Sequence, residues 1–265
     1  MTSAQLFFWG ARALYLGPAF GLSPHRNAVA VLCAGMTADF ELAADAPTAT
    51  QRYRTCRIAL IAPNSLHQLR AQAEPMSFLY VDAQSEDYGR LCARERLMGP
   101  GSGEEAAYLT GLAGLHAGEP WRQARERIAS ALDLPVPGRT DERIAEVVRH
   151  LHKHPGDPND LDHFASSVRL SPSRFLHRFK DATGVPFRRY RLWARMGGAV
   201  RNLVRGASLT EASLDAGFSS SAHFSAAFRD MFGMAPSLLV KYRLSIIEGG
   251  EGNSQAAAVL PIASS

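Results

Sequence analysis

The stretch SPSRFLHRFKDATG at residues 171–184 decides the fold of the C-terminal half, because it returns 49 residues later as SSAHFSAAFRDMFG at residues 220–233. Both copies follow the pattern Ser-x-x-x-Phe-x-x-x-Phe-[Lys/Arg]-Asp-x-x-Gly. The serine suits a helix N-cap, the two phenylalanines lie four residues apart on one apolar stripe, and the glycine suits a helix end. Each copy therefore predicts an amphipathic helix with one buried face.

A shorter amphipathic helix is predicted before each copy, at residues 161–168 and 209–216. Two helices joined by a tight turn form a helix-turn-helix, whose second helix can enter the major groove of DNA. Between the copies, residues 187–205 predict one longer, arginine-rich helix, and residues 141–154 predict another helix upstream. The segment is therefore expected to be an all-α domain with a tandem helix-turn-helix.

Charge is distributed unevenly along the chain. Residues 163–243 hold 13 Lys and Arg against 4 Asp and Glu, whereas the rest of the chain holds 16 against 21. A basic segment of this kind indicates a polyanion as partner. On charge alone, the alternative interpretation is that the segment simply has a basic, solvated surface and binds no polyanion.

The N-terminal part has a different pattern, with short apolar runs separated by Gly, Pro, Asn and Asp. Strands are predicted at residues 11–16, 27–33, 58–62 and 78–81, which is typical of a small β sandwich or barrel. Three helices are predicted after them, at about 85–98, 104–117 and 120–132.

The sequence thus predicts an α+β protein of two domains. We expect a β-rich domain with a helical extension at 1–134, a linker at 135–140, the helical domain at 141–247 and a disordered tail at 248–265. The length of 265 residues suits two domains of roughly 150 residues or fewer each.

Composition excludes several classes of protein. Hydrophobic residues make up 46% and charged residues 20% of the chain, which fits globular domains and excludes a collagen-like or wholly disordered chain. The sequence shows neither a signal peptide nor an apolar run long enough to cross a membrane. The three scattered cysteines, Cys33, Cys56 and Cys92, form no disulfide framework. A cytoplasmic protein without a membrane partner is expected.

Residues 168–184 resemble the first recognition helix of AraC/XylS-type transcription regulators, and residues 216–236 resemble the second signature of that family. The resemblance covers about residues 142–243. It implies two helix-turn-helix units, held rigid by a central helix, that bind neighbouring major-groove segments of one duplex. In the N-terminal part, Leu16–Pro18, Pro24–Arg26 and Ala62-Pro63 with His67 resemble the cupin-like sensor domain of many members. The resemblance implies that helices at 85–132 serve dimerisation.

The apolar spacing predicts which side chains of the two recognition helices face outward. Longer polar or basic residues are common on the second helix of family members, whereas here that face carries Ser and Ala. We therefore expect the first helix to supply most of the direct base specificity, with Arg suited to guanine or phosphate. The predicted DNA-contacting residues are the outward side chains, the two capping serines and two arginines of the connecting helix: Ser171, Ser173, Arg174, His177, Arg178, Arg188, Arg195, Ser220, Ser221, Ala222, Ser225 and Ala226.

Polar and aromatic side chains among the apolar strands predict a small-molecule effector site in the N-terminal domain. Its candidate residues are Tyr15, His25, His67 and Tyr80. A metal cupin usually offers a His-x-His pair followed by Glu, whereas position 27 is Asn here. No metal and no cofactor are therefore expected. Contact with an effector and ordinary structural hydrogen bonding both remain open for the two histidines.

Enzyme motifs are absent from the sequence, which has no Gly-x-Ser-x-Gly elbow and no phosphate-binding Gly-rich loop with Lys. We therefore predict a sequence-specific transcription regulator that is not an enzyme. One alternative is a cupin-type metal enzyme fused to a DNA-binding module. Another is a DNA-repair protein, which would need a reactive cysteine in a repair motif. The expected partners are double-stranded DNA, a small-molecule effector, RNA polymerase, and a second copy through the N-terminal domain or helices 85–132.

Overall fold

The computed structural model describes residues 4–19, 21–44, 53–71, 75–135, 141–241 and 244–248. Nine strands lie at Ala4–Phe8 (β1), Arg12–Gly17 (β2), Ala30–Gly35 (β3), Phe40–Ala44 (β4), Arg54–Cys56 (β5), Ile58–Ile61 (β6), His67–Ala71 (β7), Met76–Val81 (β8) and Leu244–Glu248 (β9) among these residues. The helices lie at Glu86–Glu95 (α1), Gly103–His116 (α2), Trp121–Ala131 (α3), Glu142–Lys153 (α4), Leu161–Ser167 (α5), Pro172–Thr183 (α6), Phe187–Val204 (α7), Leu209–Asp215 (α8), Ser221–Phe232 (α9) and Ser237–Lys241 (α10).

The strands form two sheets. The larger has the order β6-β3-β8-β2-β1-β9, and the smaller has the order β5-β4-β7. Neighbours within the sheets are antiparallel, except that β9 lies parallel to β1. The larger sheet therefore takes its last strand from the far end of the chain.

The strands β1, β2, β3, β6 and β8 of the larger sheet are buried along most of their length. Successive side chains of a strand point to opposite sides, so the sheet is covered on both faces along these strands. On one face, Phe7, Leu14, Leu32 and Leu79 share an apolar core with α1–α3. On the other face lies a second apolar core, which also takes residues from β4 and from the helical domain. The sheet is thus the middle layer of the molecule.

The helical domain is organised around α7, whose Trp193 is almost completely buried. The helices α5 and α6 form one helix-turn-helix unit on this axis, and α8 and α9 form the other. Phe175 and Phe179 of α6 are buried, as are Phe224 and Phe228 of α9, so the two predicted apolar stripes are confirmed.

The structure confirms the predicted architecture of a β-rich N-terminal part followed by helices and a helical C-terminal part. The strands predicted at 11–16, 27–33, 58–62 and 78–81 correspond to β2, β3, β6 and β8. The prediction missed β1, β4, β5 and β7. Of these, β5 is only three residues long and half-buried or exposed, so it lacks an apolar run.

The prediction that every element after the linker is helical is wrong at β9. Its backbone pairs with β1 from Ala4↔Leu244 to Phe8↔Glu248, a partnership 240 residues apart that local periodicity does not reveal. Glu248, which was expected to begin the tail, ends this strand. Residues 136–140 of the predicted linker and 249–265 of the predicted tail lie outside the described residues.

Candidate nucleic-acid interface

The two recognition helices begin and end in the same way. The hydroxyl of Ser171 accepts a hydrogen bond from the backbone N–H of Arg174, and Ser220 does the same for His223. Gly184 and Gly233 follow the helices with φ of 75° and 72°, the left-handed conformation that favours glycine. The capping roles predicted for the serines and glycines are therefore confirmed.

The outward face of α6 carries the four side chains expected from the apolar spacing. Ser173, Arg174, His177 and Arg178 are exposed. His177 Nδ1 lies 3.6 Å from an oxygen of Asp181, one turn further on. This face offers hydrogen-bond donors of the kind that guanine and phosphate accept.

Arg178 is engaged within the protein, at the junction of α4 and α6. Its guanidinium donates a hydrogen bond of 2.8 Å to Asp141, the N-cap of α4, which also binds Arg143. Hydrogen bonds from Arg143 and then Arg178 lower the pKa of the Asp141 carboxyl to about 2. Asp141 is thus ionised at neutral pH and holds Arg178 in an ion pair within the protein.

The outward face of α9 differs from the prediction in two respects. Ala222 and Ala226 are exposed and Ser221 and Ser225 are half-buried, but His223 is exposed as well. His223 was not among the predicted contact residues. The 49-residue offset that pairs the two copies would have found it, because it places His223 opposite Arg174.

The two candidate arginines of α7 lie in different environments. Arg188 is exposed in the first turn of the helix. Arg195 is half-buried, and its Nε has no hydrogen-bond partner among the described residues. That atom lies at the tight contact between Gly217 and Gly156. Arg188 is therefore the arginine that a phosphate reaches without rearrangement.

The C-terminal end of α9 contacts the N-terminal domain. The backbone N–H of Ala28 donates a 2.6 Å hydrogen bond to the carbonyl of Asp230, and the ring of Tyr80 meets Phe232 edge to face at 5.0 Å. Gly233 leaves no room for a side chain, because a Cβ would overlap the ring of His25 and the amide oxygen of Asn27. The C-terminal end of α9 is thus held by residues of the N-terminal domain.

A buried carboxylate joins the N-terminal domain to α7. Asp82, just after β8, is fully buried, and its Oδ2 accepts hydrogen bonds of 2.8 Å from Arg189 Nε and Trp193 Nε1. Its other oxygen accepts from the backbone of Gln84. These donors compensate the Asp82 carboxylate for the loss of water on burial. The contact therefore fixes the position of α7 against the N-terminal domain.

The four candidate effector residues lie on the side of the larger sheet that faces the helical domain. Tyr15 is buried and donates to the carbonyl of Pro18. The rings of His25 and His67 lie 4.3 Å apart, and the two backbones exchange hydrogen bonds of 3.0 Å. Burial lowers the pKa of His25, although a hydrogen bond with the Ser23 carbonyl opposes this effect. Tyr80 and His25 both contact the end of α9, which sequence reasoning did not foresee.

The described residues contain no group of three or more His, Cys, Asp or Glu side chains placed to hold a metal. All three cysteines are free. Burial raises the pKa of the Cys33 thiol and also that of Cys56, which disfavours the thiolate that a repair nucleophile needs. No helix among the described residues is long and apolar enough to cross a membrane.

Comparison with known proteins places the C-terminal domain in a family. The family described as "Helix-turn-helix domain" matches residues 164–242, the segment that holds both recognition helices. This segment is an AraC-type helix-turn-helix domain. Residues 164–242 are therefore a helix-turn-helix domain, a kind of domain that places a helix in the major groove of DNA.

Solved structures similar to the chain include an apo variant of ToxT from Vibrio cholerae, with 10% identity, a TM-score of 0.50, and coverage of 88% of this chain and 97% of that one. Another is ToxT with bound unsaturated fatty acid, with 11% identity, a TM-score of 0.47 and coverage of 87% and 95%. A third is the DNA-binding domain of AdpA in complex with a target DNA, with 27% identity, a TM-score of 0.36 and coverage of 38% and 93%. The likeness to the ToxT variant is one of fold.

Proposed function

We propose that α6 and α9 enter neighbouring major-groove segments of one duplex, with α6 as the stronger reader of bases. The exposed Arg174 and His177 on α6, opposite the buried phenylalanines, support this proposal most directly. Arg188 on α7 is proposed to contact phosphate. We propose that the protein binds promoter DNA through these two helices and regulates transcription by RNA polymerase there.

We propose further that the N-terminal domain is a sensor without enzymatic activity and that its signal reaches DNA through α9. A ligand that moves Tyr80 or His25 would displace contacts at Phe232 and Gly233, which end the second recognition helix. Response to a small molecule then takes the form of a shift in the position of α9 relative to α6. A change of this kind needs only a difference in ligand affinity between the two arrangements.

A second copy of the chain is the other proposed partner, through the face of α1–α3 away from the sheet. Leu97, just after α1, is 54% exposed beside Arg94 and Arg90. Sedimentation equilibrium of the wild type and of Leu97→Glu tests this part. A dimer in the wild type and a monomer in the variant is the expected result, and a monomer in both contradicts it.

The salt dependence of DNA affinity tests whether the protein contacts DNA phosphates as proposed. Neutralising phosphates releases counterions, so the logarithm of affinity should fall linearly with the logarithm of salt concentration. Arg188→Ala should weaken operator and scrambled duplexes alike and reduce the slope by about 1. A slope near zero for the wild type would contradict the proposal.

Titration of the protein with a broad metabolite panel that includes unsaturated fatty acids, as found bound to ToxT, tests the sensor. The expected result is a thermal shift by one compound class together with a change in operator affinity. The same compound should lose its effect on DNA binding in Tyr80→Ala. Metal analysis and an activity screen of the purified protein separate this proposal from a cupin-type metal enzyme.

A further inference from the structure

The two helix-turn-helix units differ by one residue in the turn. Residues 168–171 join α5 to α6, whereas residues 216–220 join α8 to α9. The first parts of the turns are equivalent, because Leu170 N–H bonds to the carbonyl of Ala165 as Phe218 N–H bonds to that of Ser213. The capping serines, Ser171 and Ser220, are equivalent as well. Ser219 is therefore the additional residue.

This additional serine binds a side chain of the recognition helix. The Ser219 hydroxyl lies 2.9 Å from Nδ1 of His223. The imidazole and the ring of Phe218 also pack edge to face, with centroids 5.5 Å apart and planes at 86°. Two contacts thus fix the orientation of an exposed side chain, which lowers the entropy lost when it binds a ligand.

His223 occupies the place in α9 that Arg174 occupies in α6. Each is the third residue of its helix, and each donates its backbone N–H to the capping serine. The first turns of a recognition helix are the part that reaches base edges. With Nδ1 held by Ser219, the other ring nitrogen, Nε2, has no partner among the residues that the structure describes.

We propose that His223 is a specificity-determining residue of the second helix-turn-helix unit and that Ser219 positions it. Nε2 of His223 would hydrogen-bond a base edge in the major groove. A serine hydroxyl can donate or accept, so the ring can present Nε2 either as a donor to a purine N7 or as an acceptor for an amino group. The second helix then reads DNA through one oriented side chain among small residues. This inference rests on the proposed binding of both helices to one duplex.

Single-base-pair substitution across an operator obtained by selection from a random library tests the inference. Affinities are measured for the wild type, Arg174→Ala, His223→Ala, His223→Asn and Ser219→Ala. Asn is able to keep the contact with Ser219 but has no group in the place of Nε2. His163→Ala is the matched control, because His163 is also an exposed histidine edge to face with a phenylalanine, on α5.

Both His223 variants should lose roughly tenfold discrimination at the same one or two base pairs, as expected for one base contact. Those base pairs should lie about 10 bp from the ones affected by Arg174→Ala, since recognition helices on one face are about one helical turn apart. Ser219→Ala should give a smaller loss at the same base pairs, and His163→Ala should give none.

An unchanged base preference in both His223 variants, or an equal loss on all duplexes, would overturn the role of His223 while leaving the effect of Arg174→Ala intact. A wild-type protein without any base preference would instead overturn the proposed function and this inference with it. Unaltered melting temperatures of the variants show that the changes in preference are not caused by unfolding.

Discussion

At the scale of single residues, Asp141 offsets part of the positive charge on the outward face of α6, because it pairs with Arg178. It caps α4 and binds both Arg143 and Arg178. Asn caps a helix about as well as Asp, so Asp141→Asn should keep the helix start while releasing Arg178. We expect the variant to bind all DNA more tightly, by up to about fivefold, because an exposed ion pair is worth at most about 1 kcal/mol. Fluorescence anisotropy at two salt concentrations measures this effect. Equal or weaker binding would show that Arg178 does not reach DNA.

The lowered pKa of Asp141 also sets a pH window for this ion pair. A carboxyl whose pKa is depressed by folding stabilises the folded state above its ordinary pKa and loses that contribution as the pH falls. The stabilisation by Asp141 should therefore be complete above about pH 4 and should be lost towards the folded pKa of about 2. Comparing urea denaturation of the wild type and Asp141→Asn from pH 7 to pH 2.5 tests the sign. The difference between the two proteins should shrink as the pH falls, and a difference that grows would contradict the assignment.

At the scale of elements, the glycines that end the two recognition helices allow the cost of backbone strain to be measured separately from the cost of breaking a contact between domains. Gly184 and Gly233 have nearly the same positive φ, but only at Gly233 would a Cβ meet the N-terminal domain. Gly184→Ala should cost about 1–2 kcal/mol of unfolding free energy through strain alone. Gly233→Ala should cost clearly more, because His25 and Asn27 must also move. Urea denaturation of both variants gives the comparison, and equal losses would mean that the contact at α9 does not stabilise the fold.

At the scale of the whole molecule, Asp82 couples the two domains. Breaking a buried ion pair by removing one partner typically costs about 3–5 kcal/mol. Asp82→Asn should lower the stability of the whole chain by up to an amount of this order, because the half-buried Arg189 loses its fully buried counter-charge. Asp133→Asn is the control, since its ion pair with Arg90 is exposed and should contribute about 1 kcal/mol or less. Chemical denaturation of the wild type and of both variants measures these losses. Equal losses of stability in Asp82→Asn and Asp133→Asn would contradict the coupling of the two domains by Asp82.

The features that could be predicted from the sequence are those that depend on residues close together along the chain. The helices α4–α9 were predictable to within one or two residues, because apolar spacing, capping serines and terminal glycines are local signals. The short helix α10 was not predicted. The pairing of β9 with β1 and the contacts of Tyr80 and His25 with the end of α9 were not, since they join residues far apart in the chain. His223 was missed for another reason: the outward face was inferred from apolar spacing rather than from the repeat itself.

The central claim is that α6 reads bases and carries most of the specificity. Competition titration of Arg174→Ala against operator and scrambled duplexes tests it most directly. The affinity ratio between operator and scrambled DNA should fall roughly tenfold, because one good base contact discriminates by about 1–3 kcal/mol. Affinity for the scrambled duplex should change much less. An unchanged ratio, or an equal loss on both duplexes, would contradict the claim.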